Sequence, residues 1–439
     1  MITDKRYNPA RYGCYLTNLS MAAVIMLSPF LFETFRETYG VSYTLLGLLV
    51  LINFCTQLLV DLLFSFFSKH FNIKLTVRMT PAITVFGLFV YAGLPALFPQ
   101  HAYVWLVVGT VIFAASAGLS EVLMSPVIAA MPSDNPEREM SKLHSIYAWG
   151  VVGVVLVNAL FLRLFGSQNW MFLAFGWTVL PLLAFVLFLK SELPPMETAA
   201  EEEGSGGRAP AEKARSRRAL LAGIPLFFLC IFLGGAAENT MSQWISIYSE
   251  NVLGISKFWG DVCGMAMFAA MLGLGRTLYA KFGKNISTVL IACFGGATVC
   301  YLVASLSGIP ILGLAACAFT GFCVSMLWPG SLIAASERFP KGGVVVYALM
   351  AAGGDLGSSL APQLMGILSD SVAESGFAAE LALKYSMTAE QVGMKAGMLA
   401  AAIFPILGLV TALLIRRSLK KSKSVSAPPP LPPEGGPEL

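Results

Sequence analysis

The sequence is dominated by apolar stretches of about twenty residues or more, separated by short polar segments. A helix of about twenty residues is long enough to cross the hydrocarbon core of a bilayer. Only 12% of the 439 residues are charged and 56% are hydrophobic, whereas about a quarter of the residues of a soluble domain are charged. The pattern therefore predicts an all-α membrane protein with twelve spanning helices, at about 12–34, 43–68, 75–97, 102–131, 141–165, 169–189, 219–249, 255–281, 286–307, 309–337, 342–371 and 394–416.

The basic residues lie mostly on one side of this arrangement. With the N-terminus inside, 24 of the 29 lysines and arginines fall in inner segments, and the outer side holds Arg36, Arg163, Lys257, Lys384 and Lys395. Because lysine and arginine are enriched in cytoplasmic loops, we predict that both termini are cytoplasmic. The net charge of +4 then belongs to inner loops and gives no reason to expect a nucleic-acid partner. The first apolar run is too long for a signal peptide and is expected to stay as the first span.

A charged, glycine-rich segment divides the predicted helices into six and six. Residues 190–218 are predicted to form a flexible cytoplasmic linker between bundles at 1–189 and 219–416. The tail at 417–439 is basic and then proline-rich, so we predict a disordered cytoplasmic tail.

The sequence carries no motif of an ATP-driven pump or a membrane enzyme. It has no phosphate-binding loop and no metalloprotease, serine-hydrolase or dithiol motif. Its eight cysteines lie within apolar stretches without zinc-ligand spacing. We therefore predict that the protein is not an enzyme and uses no cofactor and no metal.

Two basic segments occupy equivalent places after the second and eighth predicted helices. Residues 65–74 read SFFSKHFNIK and residues 275–284 read GRTLYAKFGK. Both resemble the cytoplasmic gating motif of the major facilitator superfamily, a tight turn whose charges bridge neighbouring helices. The first copy departs from the family pattern because both glycines and the aspartate are absent. The residues that match this gating motif are Lys74, Gly275, Arg276, Gly283 and Lys284.

The arrangement of six helices, a long loop and six helices resembles the same superfamily. The resemblance implies two bundles related by an axis along the membrane normal, a solute site near the midplane between them, and transport by alternating access.

Several stretches also resemble the fucose permease and related sugar–proton symporters. They are HSIYAWGVVG at 144–153, ENTMSQWISIY at 238–248, LWPG at 327–330 and GGDLGSSLAPQ at 353–363. Aromatic rings beside amide and carboxylate groups suit a sugar, because its CH face stacks on a ring and its hydroxyls form hydrogen bonds. The predicted solute-binding residues are Glu238, Asn239, Gln243, Trp244, Tyr248, Tyr147 and Trp328. A polar helix end with an interfacial aromatic belt is the alternative interpretation of the 238–248 stretch.

Four carboxylates fall inside predicted spans: Asp61, Glu121, Glu238 and Asp355. A charged carboxylate at the bilayer centre costs at least about 2.5–3.5 kcal/mol, so each needs a partner or a role. No lysine or arginine is predicted deep in a span, so we predict that these four groups couple transport to protons or to another cation. For Asp61 a structural contact to the inner loops is the alternative, and for Asp355 it is a bond to a neighbouring helix. His144 is expected to be solvated or bonded to the backbone rather than part of a proton relay.

These observations lead to two transport hypotheses. The first is proton-coupled movement of a small polar solute such as a sugar, with sodium coupling as a variant. The second is export of multiple drugs or organic cations, since unpaired carboxylates and aromatic rings attract lipophilic cations. A third hypothesis is a receptor that keeps the transporter fold but has lost transport, because the first gating segment departs from the family pattern. We expect a functional monomer in a bilayer, in the inner membrane of a prokaryote.

Overall fold

The computed structural model describes residues 5–67, 70–133, 136–194, 210–283, 285–339 and 343–425. Within these ranges the regular structure is helical and no strand occurs. Most of the predicted linker, Lys284 and the last part of the predicted tail lie outside the described residues.

The described residues of the first half form eight α-helices where the sequence predicted six spans. Two predicted spans are divided: the first breaks at Leu31, and the sixth breaks at Thr178. Pro181 has no N–H to donate to the carbonyl four residues earlier, which weakens the helix at that second break. The helices are α1 (Asn8–Phe30), α2 (Phe32–Tyr39), α3 (Tyr43–Phe67), α4 (Ile73–Leu97), α5 (Ala102–Ala129), α6 (Pro136–Phe165), α7 (Trp170–Trp177) and α8 (Val179–Lys190).

In the second half, ten α-helices occur within the ranges given above. One of them, α16, was not predicted, and a π-helical turn, Asp261–Ala266, joins α10 to α11. The first of these helices begins at Pro210 and the last continues to Val425, so both ends of this half extend beyond the predicted limits at 219 and 416. The helices are α9 (Pro210–Asn251), α10 (Lys257–Gly260), α11 (Met267–Phe282), α12 (Ile286–Leu306), α13 (Pro310–Val324), α14 (Leu327–Arg338), α15 (Gly343–Ala373), α16 (Gly376–Tyr385), α17 (Ala389–Ala401) and α18 (Ile403–Val425).

Eleven helical segments among the described residues have the length and apolar composition needed to cross a membrane. The 31-residue α15 is outside this set, and it carries a Gly-, Ser- and Asp-containing stretch at 353–359. Large apolar side chains such as Phe86, Leu97 and Ile311 point away from the protein and are 61%, 70% and 77% exposed. In water these surfaces would be unfavourable, so they are the faces that contact lipid. The chain is a multi-pass integral membrane protein.

Successive spanning segments alternate in direction, so the molecule has two ends. The α2 end carries α2, the turn at Ser167–Asn169 and α16, and the termini end carries Lys5, Gly283 and Val425. Hydrogen bonds and ring contacts between the two halves gather at the α2 end, as in the ion pair between Arg36 and Glu390, 2.8 Å apart. Near that end Phe32 of the first half meets the ring of Trp244 of the second half, with 5.4 Å between ring centroids.

Candidate functional site

A cavity of about 620 Å³ lies between the two halves. The first half contributes residues of α1, α3, α5 and α6, and the second half contributes residues of α9, α11, α14 and α15. Glu121 and His144 are exposed within it, although both belong to helices that pack inside the bundle. The cavity's polar and aromatic lining includes Asn18, Gln57, Glu121, His144, Tyr147, Glu238, Asn239, Arg276, Trp328, Asp355 and Ser358.

Glu238 and Arg276 form an ion pair at the wall of this cavity. A terminal nitrogen of the Arg276 guanidinium donates to Glu238 Oε1 over 3.4 Å, and the other carboxylate oxygen has no hydrogen-bond partner among the described residues. The prediction that no basic residue pairs with the carboxylates inside the membrane is therefore wrong for Glu238. The predicted gating motif put Arg276 at the cytoplasmic end of the span at 255–281, and the structure places it in α11, six residues before that helix ends at Phe282.

A proline in α14 helps to hold Arg276 in place. Helices α13 and α14 are separated at Ser325 and Met326, and Pro329 cannot donate to the carbonyl of Ser325, four residues earlier. Arg276 Nε donates to this carbonyl over 3.2 Å. The LWPG stretch at 327–330 therefore interrupts a spanning helix and leaves a backbone oxygen free for the cavity's arginine.

The other three predicted carboxylates occupy different positions. Glu121 of α5 and Asp355 of α15 line the cavity from opposite halves. Asp61 of α3 is not among the lining residues. Its Oδ1 is buried without a hydrogen-bond partner, and it faces Gly118 of α5, where a Cβ would lie 3.0 Å from it. The structure therefore brings two of the three into the cavity and leaves Asp61 between two helices beside it.

The predicted solute-binding residues divide into two groups. Glu238, Asn239, Tyr147 and Trp328 line the cavity. Asn239 also donates to Ser358 Oγ over 2.8 Å, which links α9 to α15. These residues come from both halves, from stretches up to about 180 positions apart in the chain.

The other group does not line the cavity. Trp244 and Tyr248 are completely buried and Gln243 is 1% exposed. Trp244 Nε1 donates to the carbonyl of Pro362 over 3.1 Å, and the Tyr248 hydroxyl donates to the carbonyl of Ala304 over 2.9 Å. Buried tryptophan and tyrosine usually find such a hydrogen-bond partner. In this conformation these three residues pack helices together and do not face a solute.

The predicted gating motif is dispersed. Lys74 is exposed in the first turn of α4, and Gly283 is exposed just beyond the end of α11. Gly275 is buried, and a Cβ there would collide with the side chain of Ser325. Together with the position of Arg276, these contacts show that the second copy of the motif begins inside the helix and packs against α13.

Several lining residues were not predicted. Asn18 of α1, Gln57 of α3 and Ser358 of α15 all line the cavity. Each lies in an apolar helix that carries other polar residues as well, such as Thr17, Asn53 and Ser359. Small polar residues also occur between membrane helices for packing alone. Their positions along the helix show which face is polar, but they do not show whether that face lines a cavity or packs against a neighbouring helix.

A polar network at the termini end joins α1 to α6. Lys142 Nζ donates to Glu139 over 2.6 Å, the Tyr15 hydroxyl donates to the same carboxylate over 3.0 Å, and Arg11 Nε lies 3.4 Å from it. Glu139 is 8% exposed. The hydrogen bond from Lys142 is the main reason that the pKa of Glu139 is below its ordinary value.

Comparison with known proteins shows the family. The model of the Major Facilitator Superfamily matches residues 14–362, and the chain belongs to this superfamily. It is a transporter and not an enzyme. None of the curated proteins matches the chain.

Many solved structures share the fold at low sequence identity. A D-xylose–proton symporter is 15% identical with a TM-score of 0.69, covering 91% of this chain and 97% of the other. A bacterial homolog of the human lysosomal transporter Spinster, in an inward-facing and unoccupied conformation, is 16% identical with a TM-score of 0.67, covering 94% and 97%. The fucose–proton symporter of E. coli is 16% identical with a TM-score of 0.54, covering 94% and 99%. At these identities the likeness establishes the fold, and it does not single out the fucose branch.

Proposed function

We propose that this protein is a secondary transporter that moves a small polar solute, such as a sugar, by alternating access and couples the movement to protons. The observation that carries the proposal is the central cavity, in which carboxylates, amides and aromatic rings from both halves meet. A site formed by two bundles can change its access when one bundle rocks against the other.

The size and the chemistry of the cavity support a small polar solute. Its volume of about 620 Å³ is within the range of about 300–1,000 Å³ that is typical of small-molecule sites. The rings of Tyr147 and Trp328 offer flat apolar surfaces, and Gln57 and Asn239 offer both donors and acceptors. This combination suits a sugar, which presents apolar CH faces and hydroxyl groups to the same site.

The distribution of contacts supports an inward-facing conformation. The halves are joined at the α2 end by hydrogen bonds and an ion pair. The positive-inside pattern of the sequence assigns the termini end to the cytoplasm. With that orientation, the contacts between the halves lie on the outer side of the pathway, as expected of an inward-facing state.

Glu121 and Glu238 are the residues to which we assign the coupling protons. Glu121 is exposed to the cavity, and no ion pair to it occurs among the described residues. A proton on Glu121 would allow reorientation without moving an unpaired charge through the membrane. A proton on Glu238 would weaken its attraction to Arg276 and leave the guanidinium free to meet a solute.

The second candidate function is transport of organic cations. It is favoured by the excess of acidic groups, because three acids, Glu121, Glu238 and Asp355, and one arginine, Arg276, are among the described residues that line the cavity. A cation could take the place of the coupling proton at Glu121 or Asp355 and stack on Trp328.

A thermal-stability screen of the purified protein in detergent tests both candidates. Neutral sugars, nucleosides, amino acids and organic cations would be compared at equal concentration. A ligand that binds only the folded state raises the apparent stability by about 2.7 kcal/mol at one hundred times its Kd. We expect a sugar to raise the melting temperature, and proteoliposomes to take up protons with that sugar.

Two tryptophan variants provide the matched control. We expect Trp328→Phe to weaken the ligand-induced shift because Trp328 lines the cavity, whereas Trp244→Phe should preserve it because Trp244 lies outside. Glu121→Gln should bind the sugar but lose proton uptake. A shift with organic cations alone would replace the sugar assignment with the second candidate, and sugar uptake without proton movement would refute the coupling.

A further inference from the structure

The N-terminus of α3 is capped by a residue from the other half of the molecule. Asp370, three residues before α15 ends, accepts a hydrogen bond from the backbone N–H of Tyr43 over 3.2 Å and from that of Thr44 over 2.6 Å. Each carboxylate oxygen takes one of these two donors. The first N–H groups of a helix have no partner within the helix, so a carboxylate at this position satisfies donors that are otherwise left to water.

This arrangement differs from the other caps in the protein. Asn72, Asn285, Ser375 and Thr388 each cap the helix that directly follows them in the chain. Such a local cap forms in any conformation of the transporter. Helix α3 also has a local cap, because Ser42 Oγ accepts a hydrogen bond from the N–H of Leu45 over 3.3 Å. The additional cap by Asp370 comes from more than 320 positions away, so it exists only while α3 and α15 are together at the α2 end.

The contact between α3 and α15 also requires glycine on both helices. A Cβ at Gly47 of α3 would lie 3.0 Å from the Cα of Gln363, and a Cβ at Gly366 of α15 would collide with the backbone carbonyl of Tyr43. The two backbones therefore touch directly just below the cap. Separation of the halves at this end would remove both the backbone contact and the carboxylate from the two N–H groups.

The charge of Asp370 strengthens the cap. A carboxylate is favoured at a helix N-terminus because the aligned peptide dipoles place partial positive charge there. Its bonds to N–H groups are charge-assisted and therefore stronger than those of a neutral acceptor. A side chain that makes this contact in one conformation and loses it in the other shifts the equilibrium between the two.

We propose that Asp370 is a latch that holds the α2 end closed and thereby sets the balance between the two access states. The inference rests on the proposed alternating access, but it concerns the conformational equilibrium and needs no knowledge of the solute. Asp370 is a positioning residue in this scheme, because it lies at the α2 end and does not line the central cavity.

The test is hydrogen–deuterium exchange of the full-length protein in detergent, read by mass spectrometry. In Asp370→Asn we expect about tenfold faster exchange, the loss typical of a good helix cap, at α2 and the first turn of α3 and near Asn251, which also contacts the first half. Glu374→Gln is the matched control, because this exposed acid lies four residues further along the same segment and its replacement should change nothing. Asp370→Glu, which retains the charge, should exchange at an intermediate rate.

The pattern of exchange distinguishes a latch from an ordinary helix cap. A cap without a conformational role would raise exchange at the first turn of α3 alone, and this result would overturn the proposal. Unchanged exchange in Asp370→Asn, or the same increase in Glu374→Gln, would overturn it as well. Failure to find any transported solute would count against the proposed function and would leave this measurement intact.

Discussion

The ion pair between Glu238 and Arg276 makes a quantitative prediction for a double-mutant cycle. The variants are Glu238→Gln, Arg276→Gln and the combination of both. The donor and acceptor atoms lie 3.4 Å apart, and the side chains of Arg276 and Glu238 are 39% and 16% exposed. At this separation two unit charges attract each other by about 5 kcal/mol at an effective dielectric constant of about 20, and by about 1 kcal/mol in bulk water.

The exposure of the two side chains to solvent decides where the attraction falls between these two limits. Arg276 is more than one-third exposed, so solvent screens the attraction and favours the lower part of the range. We expect a coupling free energy of about 1–2 kcal/mol between the two positions. Arg276→Gln should destabilise the protein more than the double variant does, because it leaves the mostly buried carboxylate without its counter-charge.

The assay is unfolding of the four proteins in the same detergent at pH 7.5, followed by tryptophan fluorescence. The coupling free energy is the difference between the effect of the double variant and the summed effects of the two single variants. Additive effects, with a coupling below about 0.3–0.5 kcal/mol, would show that the two charges do not stabilise each other. The proposed release of Arg276 by a proton on Glu238 would then have no energetic basis.

Three further predictions concern residues outside the cavity. Trp244→Phe leaves the carbonyl of Pro362 without its donor and should lower the free energy of unfolding by about 1–3 kcal/mol, measured in the same unfolding assay; an unchanged stability would contradict this packing role. The lowered pKa of Glu139, caused mainly by the hydrogen bond from Lys142, means that its stabilising effect is present above the ordinary pKa of a glutamate and is lost as the pH falls through the lower folded-state value. Melting curves from pH 7 to pH 3 should therefore show a smaller acid-induced loss in Glu139→Gln than in the wild type, and parallel curves would refute the prediction. Gly366→Ala places a methyl group against the backbone of α3 and should open the α2 end, with an overpacking cost of about 1–3 kcal/mol that faster hydrogen exchange of α2 would reveal; unchanged exchange there would show that the helices can adjust.

The helices were largely predictable because the bilayer imposes a single strong requirement. Every backbone polar group in hydrocarbon must be satisfied within the protein, so an apolar stretch of the right length becomes a helix. The errors occurred where a helix is interrupted and at α16, which was not predicted. The break at Ser325 follows from Pro329, and that proline was visible in the sequence, but the predicted span at 309–337 continued through it. The π-helical turn at Asp261–Ala266 has no comparable local signal.

The candidate site was predictable as a set of residue types and only partly as a set of positions. Glu121, Glu238 and Asp355 attracted attention because an acid in a membrane helix needs a role, and all three line the cavity. Trp244 and Trp328 looked alike as aromatic residues near polar groups. One packs against Pro362 and the other lines the cavity, because the neighbouring helices differ.

By itself the sequence determined the class of the protein: a helical membrane transporter with a cluster of acids and aromatic rings in its spans. Hydropathy and charge act over about twenty consecutive residues, so they are fully present in the linear chain. Only the tertiary structure decided the partners, such as Arg276 for Glu238 and the N-terminus of α3 for Asp370. These contacts depend on the rotation and the register of helices that are distant in sequence, and an ion pair or a helix cap forms only when both members arrive within about 3–4 Å of each other.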